Sequence, residues 1–268
     1  MSAQTSFRVV SRTAMRDGIL AEGDRAVPEE VPIAFSYGGS THAVMMASPA
    51  DLEDFAVGFS LTEGIISARG DINAIEVVEA GEGFDVQVDL MDAEADALRA
   101  RRRHMAGPVG CGLCGIESIE QAVRLVPNVS GISMSVGSEH IVAAMRALND
   151  AQALNRETRA VHGAGFYQPG SGLRAAREDV GRHNALDKLA GAVMNAGISA
   201  ASGIVVVTSR LSVEMVQKTA LLGCPVVAAI SAPTGLAIET AERAGITLVA
   251  LVRGEDFEIF TRLDRIIF

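Results

Sequence analysis

GIVVVTSRLSVEMVQKTALLGCPVVAAIS, residues 203–231, is the stretch whose reading decides the fold. Gly203 to Thr208 is a continuous β-branched run, as a strand covered on both faces requires. Ser209-Arg210-Leu211-Ser212 leads into a helix over Val213 to Leu222, with Ser212 as candidate N-cap. Pro225 to Ser231 repeats the strand, Gly235 to Ala244 repeats the helix, and Ile246 to Val252 adds a third strand. Gly254 and the acids after it turn the chain into a final strand, Phe257 to Thr261. A β-α-β-α-β order predicts a parallel sheet in a three-layer α/β arrangement with right-handed crossovers. Ligands of such sheets sit beyond the carboxyl ends of the strands. Ser209-Arg210, Ser231 to Thr234 and Leu251 to Asp256 meet there. Arg210 and Arg253 offer charge and paired donors, while Ser209, Ser231, Thr234 and the helix N-termini offer neutral ones, a set suited to a phosphate-bearing ligand. Neither a Walker loop nor a Gly-x-Gly-x-x-Gly fingerprint is present. Cys224, at a strand start, reads as a small buried apolar residue.

Upstream, REDVGRHNALDK (177–188) predicts a turn ending at Gly181 and a helix that carries Asn184, Asp187 and Lys188. A self-satisfied polar network and a ligand site explain this run equally well. VHGAGFYQPGSG (161–172) is punctuated too often for a long element, and His162 to Phe166 is expected as a strand-to-helix turn. Ser138 is expected to cap a helix over Glu139 to Leu148. Asp92 to Arg103 is acidic first and basic last, as a helix dipole favours, and Arg101 to Arg103 read as a solvated helix end. Hairpins are expected over 31–47, around Gly38-Gly39, and over 74–90, with His42 as a surface or pairing residue. Ser48-Pro49-Ala50-Asp51 reads as N-cap, first-turn proline and capping-box acid for a helix from Leu52 to Glu63 that stops at Gly64. These elements divide the chain into a partly ordered arm (1–30), an α+β portion (31–135) and an α/β core (136–268).

GPVGCGLCG (107–115) places two of three cysteines, Cys111 and Cys114, at Cys-x-x-Cys spacing among glycines. The segment after it, IESIEQAVR, reads as a helix, whose N-terminus would favour a thiolate at Cys114. A zinc site wants about four ligands, and no second ligand pair supplies them. A thioredoxin-like dithiol, a structural pair and a sulfur-accepting loop remain as readings, with redox or sulfur chemistry favoured.

At 268 residues with 49% apolar content the chain can bury a sizeable core. A net charge of −10, no tryptophan and 4% aromatics argue against nucleic acid as a partner, so an anionic ligand needs local donors. Apolar runs are too interrupted to span a membrane, and the polar N-terminus predicts a cytoplasmic protein.

Several stretches together are similar to the FdhD sulfur carrier family, required for formate dehydrogenase activity: THAVMMASPADLEDFAVGFSLTEGII (41–66), GCGLCG (110–115), REDVGRHNALDKL (177–189), SRLSVEMVQKTALLG (209–223) and TLVALVRGEDFEIFT (247–261). The resemblance runs from about Pro32 onward. It implies a carrier that takes sulfur from a cysteine desulfurase as a persulfide on Cys111, assisted by Cys114. The sulfur would then pass to the molybdenum cofactor, in its bis(molybdopterin guanine dinucleotide) form, before insertion into formate dehydrogenase. It further implies a cytidine-deaminase-like core, a homodimer without structural metal, and a cofactor-binding stretch at Leu251, Val252, Arg253, Gly254, Glu255 and Asp256. Two features depart from what is expected. No glutamate follows His162 in a deaminase-type His-x-Glu, which disfavours zinc-dependent deamination. Glu255 and Asp256 stand where a basic end is expected, leaving phosphate contact to Arg253 and backbone N–H groups. A cofactor chaperone whose cysteines merely fasten a loop is the competing reading.

Overall fold

A computed structural model describes residues 5–104 and 126–268. Cys111, Cys114 and the helix expected after them lie outside the described residues.

The three expected strands are β10 (Ile204–Val207), β11 (Val226–Ala229) and β12 (Thr247–Arg253), paired parallel. They are the centre of a six-stranded mixed sheet. β13 (Asp256–Ile259) flanks β12 antiparallel, and β8 (His162–Gln168) flanks β10 antiparallel, followed by β9 (Gly172–Asp179). The reading of His162 to Phe166 as a strand-to-helix turn is therefore corrected: it is a central strand. Its glycines serve close packing. A Cβ on Gly165 would press on Leu148, Leu173 and Val206, and one on Gly163 would meet the Gln152 amide.

Both sheet faces are covered, which is why β10 needs no polar alternation. Ile204 and Val206 pack with α3 (Ser138–Ala151) on one side. Val205 and Val207 pack on the other with α5 (Arg182–Asn195), α6 (Val213–Leu222) and α7 (Gly235–Ala244). The three layers are thus as expected. Gly137, and not Ser138, is the N-cap of α3.

A second sheet, in the order β4-β3-β6-β5, holds β3 (Val31–Tyr37), β4 (Ser40–Ala47), β5 (Ile72–Ala80) and β6 (Gly83–Leu90). Both expected hairpins are present, and β3 also pairs parallel with β6. One face is buried on α1 (Leu52–Thr62), where Phe35 stacks on Phe59 and meets Phe55 edge-on. Helix α2 (Asp92–His104) follows β6, β7 (Val136–Gly137) pairs parallel with β14 (Ile266–Ile267), and the short α4 (Ala153–Thr158) follows α3.

Helix α1 joins the two sheets by crossing α5 at glycines. A Cβ on Gly58 would fall on the carbonyl of Asp187, and one on Gly191 on the carbonyl of Asp54. The backbones touch because neither residue has a side chain. The expected start of α1 needs correcting: its N-cap is Asp51, in the left-handed region at φ 55°, without a side-chain cap bond. Ser48 is fully buried and engaged elsewhere.

The stretch before Pro28, read from sequence as a partly ordered arm, forms a two-stranded antiparallel ribbon of β1 (Phe7–Arg16) and β2 (Ile19–Pro28). Its base touches α4, where Arg25 donates to the Thr158 carbonyl at 3.2 Å. Among the described residues no helix is long and apolar enough to cross a membrane.

Candidate functional site

The carboxyl ends of β10, β11 and β12 lie side by side, as the strand order requires. Ile230 N–H donates to the Val207 carbonyl at 3.2 Å, and Leu251 N–H to that of Ser231 at 3.4 Å. Leu211 N–H donates to Ala232, and Thr234 N–H donates back to Leu211 at 3.0 Å, so Arg210 and Thr234 border the same edge. Ser209, Arg210, Ser231, Thr234 and Leu251 are therefore brought together.

Their donors are not all free. The Ser209 hydroxyl donates to the Arg210 carbonyl at 3.0 Å, and the Thr234 hydroxyl accepts from Ala237 N–H at 3.2 Å as the cap of α7. Val252 is buried, whereas Arg253, Gly254, Glu255 and Asp256 form the exposed β12–β13 turn. Glu255 pairs there with Arg146 of α3 at 2.9 Å. Leu251 has φ 56°, a left-handed conformation that costs a non-glycine residue ~1 kcal/mol or more.

Antiparallel β8 and β9 bring His162 and the 177–188 run to this edge, a placement the sequence did not give. Gly163 exchanges bonds with Thr208, receiving from Thr208 N–H at 3.0 Å and donating to its hydroxyl at 2.8 Å. His162 at the start of β8 thus stands beside the end of β10. The chain leaves β9 at Asp179 and enters α5 through Gly181, an N-cap with no side-chain cap bond. Arg182 and His183 occupy the first turn of that helix, and Glu214 the first turn of α6.

These four side chains act on one another. Burial, then the Arg182 and Lys218 charges, hold His183 down at about 4, with Glu214 opposing. His162 is lowered by burial and by Arg182, against Asp179. Burial would raise Glu214, but the Ser212 hydroxyl, a backbone N–H, His183 and Arg182 outweigh it and leave it low. At neutral pH the cluster therefore holds a neutral His183 and an ionised Glu214. His183 Nε2 stands 4.0 Å from Glu214 Oε2, too far for a hydrogen bond. Arg182 Nε and His183 Nε2 are both buried atoms without a hydrogen-bond partner. A buried nitrogen left unsatisfied costs about 1–3 kcal/mol unless a ligand or water completes it. Together with the first-turn N–H groups of α5, the two nitrogens suit an anion.

A fully buried layer holds this edge in place. Lys188 Nζ meets Asp179 Oδ2 at 2.7 Å, both side chains 0% exposed, and donates to the Ser48 carbonyl at 2.9 Å. Asp179 also accepts from Ser48 N–H, Gly181 N–H and the Asn184 amide at 2.7–3.0 Å. Asn184 donates again to the Met46 carbonyl at 2.9 Å, so the end of β4 is tied to the start of α5. One turn further, Lys218 Nζ reaches Asp187 at 2.8 and 2.9 Å, and Thr62 donates to Asp187 at 2.7 Å. Burial pushes the Asp187 carboxyl up, and Lys218 and Thr62 pull against it.

Of the two readings of the 177–188 run, the self-satisfied polar network is present. Asp179, Asn184, Asp187 and Lys188 are the satisfied network, while Arg182 and His183, on the adjoining face, are left open. Cys224 is fully buried, with its thiol pushed up to about 12, and is structural as expected. Among the described residues no group of three or more His, Cys, Asp or Glu side chains could hold a metal ion.

The layers and this edge define a class: a mixed-sheet α/β protein whose strand ends and two helix starts share an anion-compatible edge. The chain belongs to the FdhD/NarQ family, whose model matches residues 28–267. It is 81% identical over 267 residues to the sulfur carrier protein FdhD of Agrobacterium fabrum, covering 100% of this chain and 98% of that one. It is 57% identical over 267 residues to the protein of the same name in Brucella abortus, covering 100% and 99%. A crystal structure described as a formate dehydrogenase accessory protein from Desulfotalea psychrophila superposes with a TM-score of 0.78 at 27% identity, covering 98% of this chain and 100% of that one.

Proposed function

We propose that this protein is a sulfur carrier for formate dehydrogenase, working as a cytoplasmic homodimer that meets both a cysteine desulfurase and the client enzyme. The observation that carries this reading is the match to sulfur carrier relatives along the whole chain, with the Cys-x-x-Cys pair included. The Cys111 thiolate attacks the outer sulfur of the desulfurase persulfide, the donor S–S bond breaks, and the donor cysteine leaves as a thiolate. Nothing is oxidised overall in that step. Release of the carried sulfur as hydrosulfide needs two electrons. Cys114 supplies them by attacking the inner sulfur of Cys111, which forms a Cys111–Cys114 disulfide that a cellular dithiol then reduces. The acceptor is the molybdenum cofactor in its bis(molybdopterin guanine dinucleotide) form, carried as cargo. The six-stranded sheet, with its parallel centre and antiparallel β8, is compatible with the cytidine-deaminase likeness.

Incubation with a cysteine desulfurase and cysteine is expected to add about one sulfur atom to the intact mass of the wild-type chain, and none to Cys111→Ala. A variant that lacks the adduct yet still activates formate dehydrogenase would leave the cofactor-chaperone reading in its place.

Arg182 Nε, His183 Nε2 and the first turn of α5 support a diphosphate of the cargo at the strand edge, on which Arg210 also borders. Arg182→Ala is therefore expected to weaken binding of GDP, a probe for the guanine dinucleotide end, about 10- to 100-fold. Unchanged affinity by calorimetry would move the diphosphate to the exposed 253–256 turn.

A further inference from the structure

The N-terminal ribbon sorts its charges by face. Its register pairs Arg8 with Val27, Val10 with Arg25, Arg12 with Gly23, Ala14 with Ala21 and Arg16 with Ile19. Paired residues share a face and neighbours alternate, so four arginines lie on one side of the ribbon. The acids Glu22 and Asp24 lie on the other, opposite Thr13 and Ser11. Arg8 reaches Glu29 at 3.4 Å and Arg25 the Thr158 carbonyl, but among the described residues Arg12 and Arg16 have no ion-pair partner. The tip is also apolar and uncovered: Met15, Ile19 and Leu20 are 63–71% exposed. A two-stranded ribbon held only at its base is marginal in water by itself.

The outer face of the four-stranded sheet has the opposite character. Its inner face buries Ile33, Phe35, Val86 and Val88 on α1. The alternate residues therefore point outward, and the register sets Gln87 between Ser36 and Glu76, with Asp85 and Asp89 to either side on β6. Ser36, Thr41, Glu76, Asp85, Gln87 and Asp89 line a cavity of about 340 Å³ on this face. Val44 and Met46 are exposed beside it. Asp85 accepts from Ser36 and Gln87, while Glu76 and Asp89 have no ion-pair partner among the described residues.

We infer that the arginine face of the ribbon docks on the acidic outer face of the four-stranded sheet of a second copy of this chain. It rests on the homodimer proposed above and names the surfaces that make it. The arginine face carries exposed Ile19 at its tip, Met15 and Leu20 lying on the acid side, and the sheet face carries Val44 and Met46; the two faces are opposite in charge. A transient client would leave the ribbon bare for most of its life, whereas a second copy is always available to cover it. Reciprocal exchange, ribbon to sheet and ribbon to sheet, closes on a two-fold axis without exposing a further site. A ribbon face of ten-residue strands is roughly 33 Å by 10 Å. Two arms with their two receiving faces remove roughly 1,300 Å² from solvent, within the range of a stable interface.

Sedimentation velocity of the full chain over a concentration series reads the dimer constant directly. The wild type is expected as a dimer that weakens with salt. Arg12→Glu with Arg16→Glu, and separately Glu76→Arg with Asp89→Arg, are each expected to raise the dissociation constant at least about tenfold. Combining all four substitutions is expected to restore most of the affinity, which a misfolded variant could not do. A monomeric wild type overturns this inference together with the homodimer. A wild-type dimer that ignores both charge reversals, or is weakened by each without rescue by the combination, overturns the inference and leaves the homodimer standing.

Discussion

Alanine at Gly191 is expected to destabilise the protein by about 3 kcal/mol or more, although alanine is the better helix former by about 1 kcal/mol. The sign is decided by what the new methyl group meets. Helix α5 crosses α1 with no side chain between the backbones, and the added carbon would fall on the Asp54 carbonyl, with two further Asp54 backbone atoms nearby. Main chain inside a helix cannot rotate away as a side-chain tip can. The helices must separate, and that loosens Phe55 and Phe59 on one side and Leu186 and Leu189 on the other. Gly58→Ala should behave alike, since its new carbon would strike Asp187. Gly235→Ala, at a helical glycine with open space around it, should change stability by less than about 0.5 kcal/mol. Urea unfolding of the three variants checks this, and a neutral Gly191→Ala would show that the crossing is looser than its geometry requires.

Lys188→Met is expected to cost about 3–5 kcal/mol, a large part of what a domain of ordinary stability has to lose. Methionine keeps most of the volume and the packing, so the loss isolates the charge. Asp179 would be left as a buried carboxylate facing only Ser48 N–H, Gly181 N–H and the Asn184 amide, and the Ser48 carbonyl would lose its donor. The ammonium also sits 5.4 Å from the centroid of the Phe55 ring, a further contact that methionine makes only weakly. Removing the stranded charge as well, in Asp179→Asn with Lys188→Met, should recover part of the loss. A double variant no more stable than the single would mean that the lost donor to Ser48, and not the unpaired carboxylate, carries the penalty.

Both predictions bear on function through the same geometry. The Asp179–Lys188 pair and the Gly58–Gly191 crossing fix where α5 begins, and α5 begins with Arg182 and His183. A shift there moves those two nitrogens relative to Glu214 and His162. The edge would then lose its shape before the fold loses its stability.

Much of this molecule was legible one residue type at a time. The run Ile204 to Val207 could only be a strand covered on both faces, and the helices after it begin and end where their caps and glycines place them. Polar residues around Gly38-Gly39 and Gly81 marked both hairpins, because tight turns need those backbone angles. The strand at 162–168 was not legible. Gly163 and Gly165 look like punctuation in a linear chain, and only the side chains of Gln152, Leu148, Leu173 and Val206 explain why nothing larger fits. The ribbon was missed for the opposite reason: neither of its faces is buried in a core, so it has no apolar alternation to announce it.

The cysteine pair, the parallel strand order and the meeting of the strand-end segments at one edge followed from sequence alone, because spacing, β-branching and chain connectivity are local or nearly local properties. Which side chains meet at that edge was decided only by tertiary structure. His162, Arg182, His183 and Glu214 come from three separate elements, and antiparallel β8 brings one of them in from the far side of the parallel strands. The shifts of His162, His183 and Glu214 arise from burial and mutual proximity, and those quantities exist only once the chain has folded.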